Sequence, residues 1–384
     1  MTATADTTTL AWQEAGERHA ARWRSEAGWP APARVQIADD RMPADLAYRL
    51  ACEGTALLWR GDFHNARQLL QALGRRIDRR PRKADPAPAA PADRFHRHRQ
   101  AQGHRARVLG MLLVELDGDY GVDLRRAPDL RLACTEAWGP PTGEASVVAL
   151  RELTGLVGAH EWREKGVEVP ALGSGSGDRI HPHYGVFSPV RGEYLDLVAR
   201  APLPADRSLA FDIGTGTGVI AALLARRGVG RIVATDTNAR ALACARDNLT
   251  RLGVQDRVQL EAVDLFPPGQ APLVVCNPPW VPARGTSALE RAVYDPDSQM
   301  LRGFLAGLAD HLAPCGEGWL ILSDLAEHLG LRTREELLAL IAGAGLSVRE
   351  RLDIAPRHPK AADPDDPLAA ARSRETTSLW RLVR

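Results

Sequence analysis

In the second half of the chain, short apolar runs alternate with longer stretches whose apolar residues recur every three or four positions. The runs Leu209–Ile213, Arg231–Asp236, Val258–Ala262, Leu273–Asn277 and Trp319–Ser323 have the length and apolar content of buried parallel strands. Val219–Arg227, Asn238–Leu252, Met300–Leu312 and Arg334–Ala344 fall between or after them and read as helices. This alternation predicts right-handed crossovers and a doubly wound, mostly parallel sheet. Two later runs, Ser347–Ile354 and Ser378–Val383, bracket a polar loop rich in Pro and Asp. They predict an antiparallel hairpin at the end of a seven-stranded sheet.

The first 165 residues carry a different pattern, which predicts a mainly helical domain over 1–165. Trp12, Ala15, His19 and Trp23 lie at near-helical spacing within Leu10–Ala27, and Leu46, Leu50, Ala51, Leu57 and Leu58 give a second apolar face. Asp62 is positioned to cap a helix from Phe63 to Ile77, where Phe63, Ala66, Leu69, Leu70 and Leu73 form an amphipathic stripe. A proline–alanine segment over Ala84–Pro91 reads as extended, and a further helix is predicted over Arg94–Val114. Ser174-Gly175-Ser176-Gly177 marks a linker over 166–180, after which the alternating pattern defines a domain over 181–384.

Composition narrows the class. At 384 residues the chain can bury two cores, and a net charge of +1 gives no whole-chain argument for nucleic acid or membrane. Charge is uneven locally: Arg75, Arg76, Arg79, Arg80, Arg82 and Lys83 precede the proline–alanine segment, and Arg94, Arg97, Arg99, Arg105 and Arg107 follow it. Such a cluster can hold a phosphate backbone or an acidic protein, or serve only as a solvated face. The five cysteines are scattered, with no C-x-x-C pair, as in a reduced cytoplasmic protein. The start has no secretory pattern and no run has membrane-spanning length, so a soluble cytoplasmic protein is expected. His181 and His183 form an H-x-H pair without a third ligand, and no metal is expected.

Two stretches carry candidate chemistry. Asp212-Ile213-Gly214-Thr215-Gly216-Thr217-Gly218 follows the first strand, and its G-x-G-x-G spacing differs from the dinucleotide fingerprint. Its backbone can meet the carboxylate of an amino-acid-like ligand while Asp212 holds the ammonium, directly or through water. Asp236 ends strand two, where it can accept from ribose hydroxyls; Asp264, after strand three, can accept from an adenine amine with Leu265 against the ring. The second stretch, Asn277-Pro278-Pro279-Trp280, closes strand four. Two prolines stop the ladder and leave an amide, a bare carbonyl and an indole at the carboxyl end of a strand, where open α/β sheets bind ligands.

These residues resemble the class I S-adenosylmethionine-dependent methyltransferases, a Rossmann-like fold, over roughly 181–384. The resemblance implies that Asp212, Gly214, Thr215, Gly216, Asp236, Thr237, Asp264, Leu265 and Asn277 contact the methyl donor, S-adenosylmethionine. The subset with N-P-P-[YFW] methylates planar nitrogens, which implies catalytic roles for Asn277, Pro278 and Trp280. Phe187-Ser188-Pro189-Val190-Arg191-Gly192-Glu193-Tyr194 is similar to the proline–arginine–glutamate segment of HemK-like glutamine methyltransferases, with an inserted residue. Phe187, Pro279, Trp280, Tyr294 and Asp295 are expected at the acceptor, with Glu290 in the same loop. His311 and His328 read as structural. The expected acceptor is a side-chain amide of a protein or peptide; an exocyclic amine of adenine or guanine, or a small metabolite, are the alternatives.

Overall fold

A computed structural model describes residues 9–79, 90–175, 177–190, 192–285, 290, 292–357 and 366–384. Arg80, Arg82, Lys83, most of the proline–alanine segment, Ser176 and Arg191 lie outside these. The chain forms two compact units, one of residues 1–88 and 97–161, the other of 89–96 and 162–384.

The first unit is built on a six-stranded mixed sheet, which corrects the mainly helical expectation. Its strands are β1 (Thr9–Glu14), β2 (Glu17–Arg24), β3 (Arg34–Ala38), β4 (Thr55–Trp59), β5 (Leu112–Leu116) and β6 (Ser146–Ala149), in the order β1-β2-β6-β5-β4-β3. Leu10–Ala27 is a hairpin. Leu10 and Trp12 are buried while Ala11 and Gln13 are exposed, a period of two. Ala15 and Gly16, both at positive φ (51° and 87°), make the turn. Trp12 and His19 pair across it, their rings stacked 5.6 Å apart, so their seven-residue separation spans a turn and not two helical turns. Leu57 and Leu58 likewise belong to β4, and the predicted helix over Arg94–Val114 stops at Leu109 before β5. The helix Phe63–Asp78 is present, with Asp62 accepting from the His64 amide. Its carboxylate is enclosed by Arg125 and Arg126.

The second unit carries the seven-stranded sheet. Its strands are β9 (Leu209–Ile213), β10 (Arg231–Thr235), β11 (Val258–Glu261), β12 (Ala271–Cys276), β13 (Leu312–Ser323), β14 (Ser347–Ile354) and β15 (Thr377–Val383). A two-stranded ribbon of β7 (Val167–Glu168) and β8 (Arg179–Ile180) precedes them. The order is β11-β10-β9-β12-β13-β15-β14, parallel as far as β13, with β15 antiparallel to both neighbours. Every residue of β12 is buried, because β9 and β13 flank it and helices cover both faces. The helix Val219–Arg226 is buried from Val219 to Ala225, which explains its nearly uninterrupted apolar sequence. Among the described residues, no helix is long and apolar enough to cross a membrane.

The hairpin assignment is checked with Gly16→Val. A β-branched residue forced to left-handed φ should lower stability by about 1–2 kcal/mol in denaturant unfolding. Gln13→Val, on the exposed face of β1, should change it by less than about 0.5 kcal/mol.

Candidate active site

The turn after β9 bends sharply through three glycines at positive φ: Gly214 (70°), Gly216 (56°) and Gly218 (78°). A Cβ at Gly214 would stand 2.5 Å from the Met300 methyl, and one at Gly218 would crowd Ala245 at 3.1 Å. Backbone angle calls for glycine at both positions, and crowding against Ala245 adds to that demand at Gly218, whereas the flexible Met300 side chain can move from Gly214. The Thr215 amide donates to the Thr235 carbonyl, tying the turn to β10.

Asp212 lies behind this turn, 1% exposed. Its Oδ2 accepts from Thr215 Oγ1 (2.7 Å) and the Ala221 amide (3.1 Å), while Oδ1 is buried without a hydrogen-bond partner. Burial pushes its pKa up to about 6. Asp236, at the tip of β10, accepts from the Gly216 amide (3.1 Å) and the Asn238 amide (2.9 Å), and burial raises its pKa too. The helix that follows is capped by Asn238 itself. Thr235 Oγ1 donates to the Leu265 carbonyl at 2.6 Å, beside a Leu265 backbone in the left-handed region.

At the tip of β12, Trp280 Nε1 donates to Asn277 Oδ1 at 2.9 Å. The indole of Trp280 therefore has its polar edge committed to the neighbouring amide. Downstream, the Asp295 amide donates to the Val281 carbonyl, and its carboxylate accepts from the Met300 (3.1 Å) and Leu301 (3.2 Å) amides. Asp295 is thus placed as an anchor for the helix Gln299–His311, with both oxygens engaged by the backbone. Met300, held by that bond, is the residue against Gly214.

A single cavity of about 720 Å³ joins the two stretches. Its lining includes Gly214, Thr215, Gly216, Asp236, Thr237, Asp264 and Leu265 from the first stretch and the strand tips beside it, and Asn277, Pro278, Pro279, Trp280, Tyr294 and Asp295 from the second and the loop after it, with Phe187. Asp212 is not in the lining; it stands one layer back and acts on the turn. Sequence reading missed Phe95, Tyr194, Leu325, Leu329, Leu368 and Arg372, which also line the cavity. Phe95 is 2% exposed, with its ring 6.4 Å from Tyr294. Arg372 is paired with Asp366 at 2.8 Å.

The other candidates fall elsewhere. His183 Nε2 lies 2.9 Å from Asp247, and His181 Nδ1 lies 2.6 Å from the Arg163 carbonyl. The Glu290 side chain is not in the cavity lining, although its carbonyl accepts from the Val293 and Tyr294 amides. His311 stacks on Phe266 at 4.2 Å, and His328 Nε2 lies 3.0 Å from the Arg374 carbonyl. In the basic stretch, Arg76 pairs with Asp45 and Arg105 with Asp78.

Residues 179–332 match the family described as Methyltransferase small domain. The release factor glutamine methyltransferase of Cereibacter sphaeroides is 32% identical over 161 residues, 38% of this chain and 55% of that protein. The ribosomal protein uL3 glutamine methyltransferase of Bordetella pertussis is 34% identical over 113 residues, covering 28% and 37%. The tRNA1(Val) (adenine(37)-N6)-methyltransferase of Phocaeicola vulgatus is 33% identical over 106 residues, covering 27% and 42%. The chain thus spans about half or less of the length of these curated relatives.

The burial of Asp212 sets a pH dependence. Its folded-state pKa, about 6, lies above the ordinary 3.8, so the folded protein binds the proton more tightly. Stability should therefore fall as pH rises from near 4 to near 6, by roughly 3 kcal/mol from this group, and stay lowered above that window. Asp212→Asn should flatten this slope in melting curves taken across pH 4–7.5; an unchanged slope would show that Asp212 does not titrate there.

Proposed function

We infer that this chain, whose carboxy-terminal unit is a class I S-adenosylmethionine-dependent methyltransferase domain similar to the HemK-like glutamine methyltransferases, is an N-methyltransferase of planar nitrogens. The acceptor proposed is a glutamine-like side-chain amide of a protein or peptide. One observation carries the reading: Asn277 and Pro278, directly after β12, line the same cavity as the glycine turn and Asp236.

The residues present fit the methyl donor. Asp212 Oδ1 is a buried acceptor without a partner one layer behind the lining, suited to an ammonium group met through a bridging water and not directly. Asp236 has the position and charge to accept from a pair of ribose hydroxyls, Asp264 to accept from an adenine amine, and Leu265 to lie against an apolar ring face. Gly214, Thr215, Gly216, Thr237 and Asn277 complete this half. When bound, the donor supplies a methyl group on a sulfonium.

An amide nitrogen is a poor nucleophile because its lone pair is delocalised. Asn277 Oδ1 has a lone pair beyond the one used by Trp280, and the Pro278 carbonyl is a second acceptor. Together they can take the two N–H groups of a primary amide, fix its nitrogen and stabilise the positive charge that develops there. Trp280, Pro279, Tyr294 and Phe187 offer planar or apolar walls that exclude water. Asp295 serves this site by holding the loop.

Among the relatives, the names of the release factor and uL3 glutamine methyltransferases support an amide acceptor. The tRNA methyltransferase among them, with the basic stretch Arg75–Arg107, supports a second reading: an exocyclic base amine guided by the amino-terminal unit. In either case that unit is proposed to recognise the acceptor. The five free cysteines suit a cytoplasmic setting.

S-adenosylmethionine labelled on its methyl group and incubated with fractionated extract tests this. Label should enter material that is sensitive to protease and indifferent to nuclease; label in nuclease-sensitive material would favour the base reading. Asn277→Ala should slow transfer by about a hundredfold or more. Donor affinity, read by calorimetry, should rise with pH through about 6 as Asp212 ionises. Asp236→Ala should weaken it about tenfold or more. No heat with S-adenosylmethionine or S-adenosylhomocysteine would overturn the assignment.

A further inference from the structure

The bond from Trp280 Nε1–H to Asn277 Oδ1 does more than pin a ring. An indole nitrogen can only donate, whereas a carboxamide is an acceptor at one end and a donor at the other. The bond therefore decides which end of the Asn277 amide faces Trp280, and which atoms are left for a ligand. We propose that Trp280 is a positioning residue that fixes the flip of the Asn277 amide, keeping its oxygen, and not its NH2, in register for an incoming N–H.

The indole is well held for this task. It packs against three hydrophobic clusters: one containing Val275 and Tyr194, one containing Cys276 and Leu301, and one containing Phe95 and Leu325. Its donor thus approaches Asn277 from one fixed direction. A reversed amide would set NH2 against N–H, losing one hydrogen bond and opposing two donors in a half-buried place. Phenylalanine at this position has no donor. Tyrosine carries a hydroxyl that both donates and accepts, so it could satisfy either flip. Of the three aromatic residues that end this motif, tryptophan alone can impose the choice. The aromatic residue then acts through its edge as well as its face.

The bond itself is tested without any acceptor, by ¹H–¹⁵N spectra of the full chain. The Trp280 indole signal, assigned by its disappearance in Trp280→Phe, should be shifted downfield and protected from exchange. Asn277→Ala should return it to free-indole values, while Asn277→Asp should keep it bonded. A signal indifferent to Asn277→Ala would overturn the proposal.

The consequence for transfer rests on the N-methyltransferase reading and is tested by a double-mutant cycle. The substrates are S-adenosylmethionine at saturation and the extract fraction that takes label from the unaltered protein. Trp280→Phe should slow the initial rate roughly tenfold, with donor affinity within about twofold. A carboxylate has no wrong end, so in the Asn277→Asp background the same change should cost less than about threefold. Equal losses in both backgrounds would reduce Trp280 to packing and sink the proposal. If no fraction takes label, the transfer reading fails, and the spectra still decide the bond.

Discussion

A carboxylate buried behind a glycine turn governs this site. Asp212 has been taken out of water, and its Oδ2 binds the turn through Thr215 and the following helix through Ala221. Those two bonds make strand, turn and helix one rigid corner. The glycines allow the backbone to follow that corner, since Gly214, Gly216 and Gly218 all need left-handed angles. Desolvating an acid is unfavourable, and only half of this one is compensated within the protein. Its lone oxygen gives the corner an unmet demand for a donor or cation, a property suited to binding and ill suited to bare stability.

Another part of the cavity wall is tied to the same corner. Asp295 grips the first amides of the helix Gln299–His311, which brings Met300 against Gly214. The segment carrying Tyr294 and Asp295 thus reaches the glycine turn through the Met300 side chain. Such an arrangement suits the alignment that the proposed methyl transfer requires.

Much of the second unit could be read before the structure, because its central strands β9, β10 and β12 are almost wholly buried and appear as short apolar runs. The glycine turn and the double-proline bend were also legible, since each is a local demand of the backbone. Several other features were not. Trp12 and His19 are seven apart, a spacing shared by a helix face and by a hairpin with a two-residue turn. The early part of β13, with Pro314, Gly316 and a Glu317 enclosed by Arg349 and Arg381, has no strand-like composition. It is held by partners distant in sequence. Phe95 and Leu368 reach the cavity by tertiary packing, for which no periodicity exists. The commitment of the Trp280 edge and of both Asp295 oxygens is a matter of geometry, invisible in residue identity.

The sheet closes in an order that differs from the order of the chain. β15 slots between β13 and β14, so β14 touches no other strand of the sheet and joins it only through a partner that comes later. In a polypeptide emerging from its amino end, β14 would be made while its place is still undefined. The edge of β13 would meanwhile lie bare, a sticky template for stray segments. Assembly of this unit is thus gated by its final strand, and a chaperone's protection would be most useful during that interval.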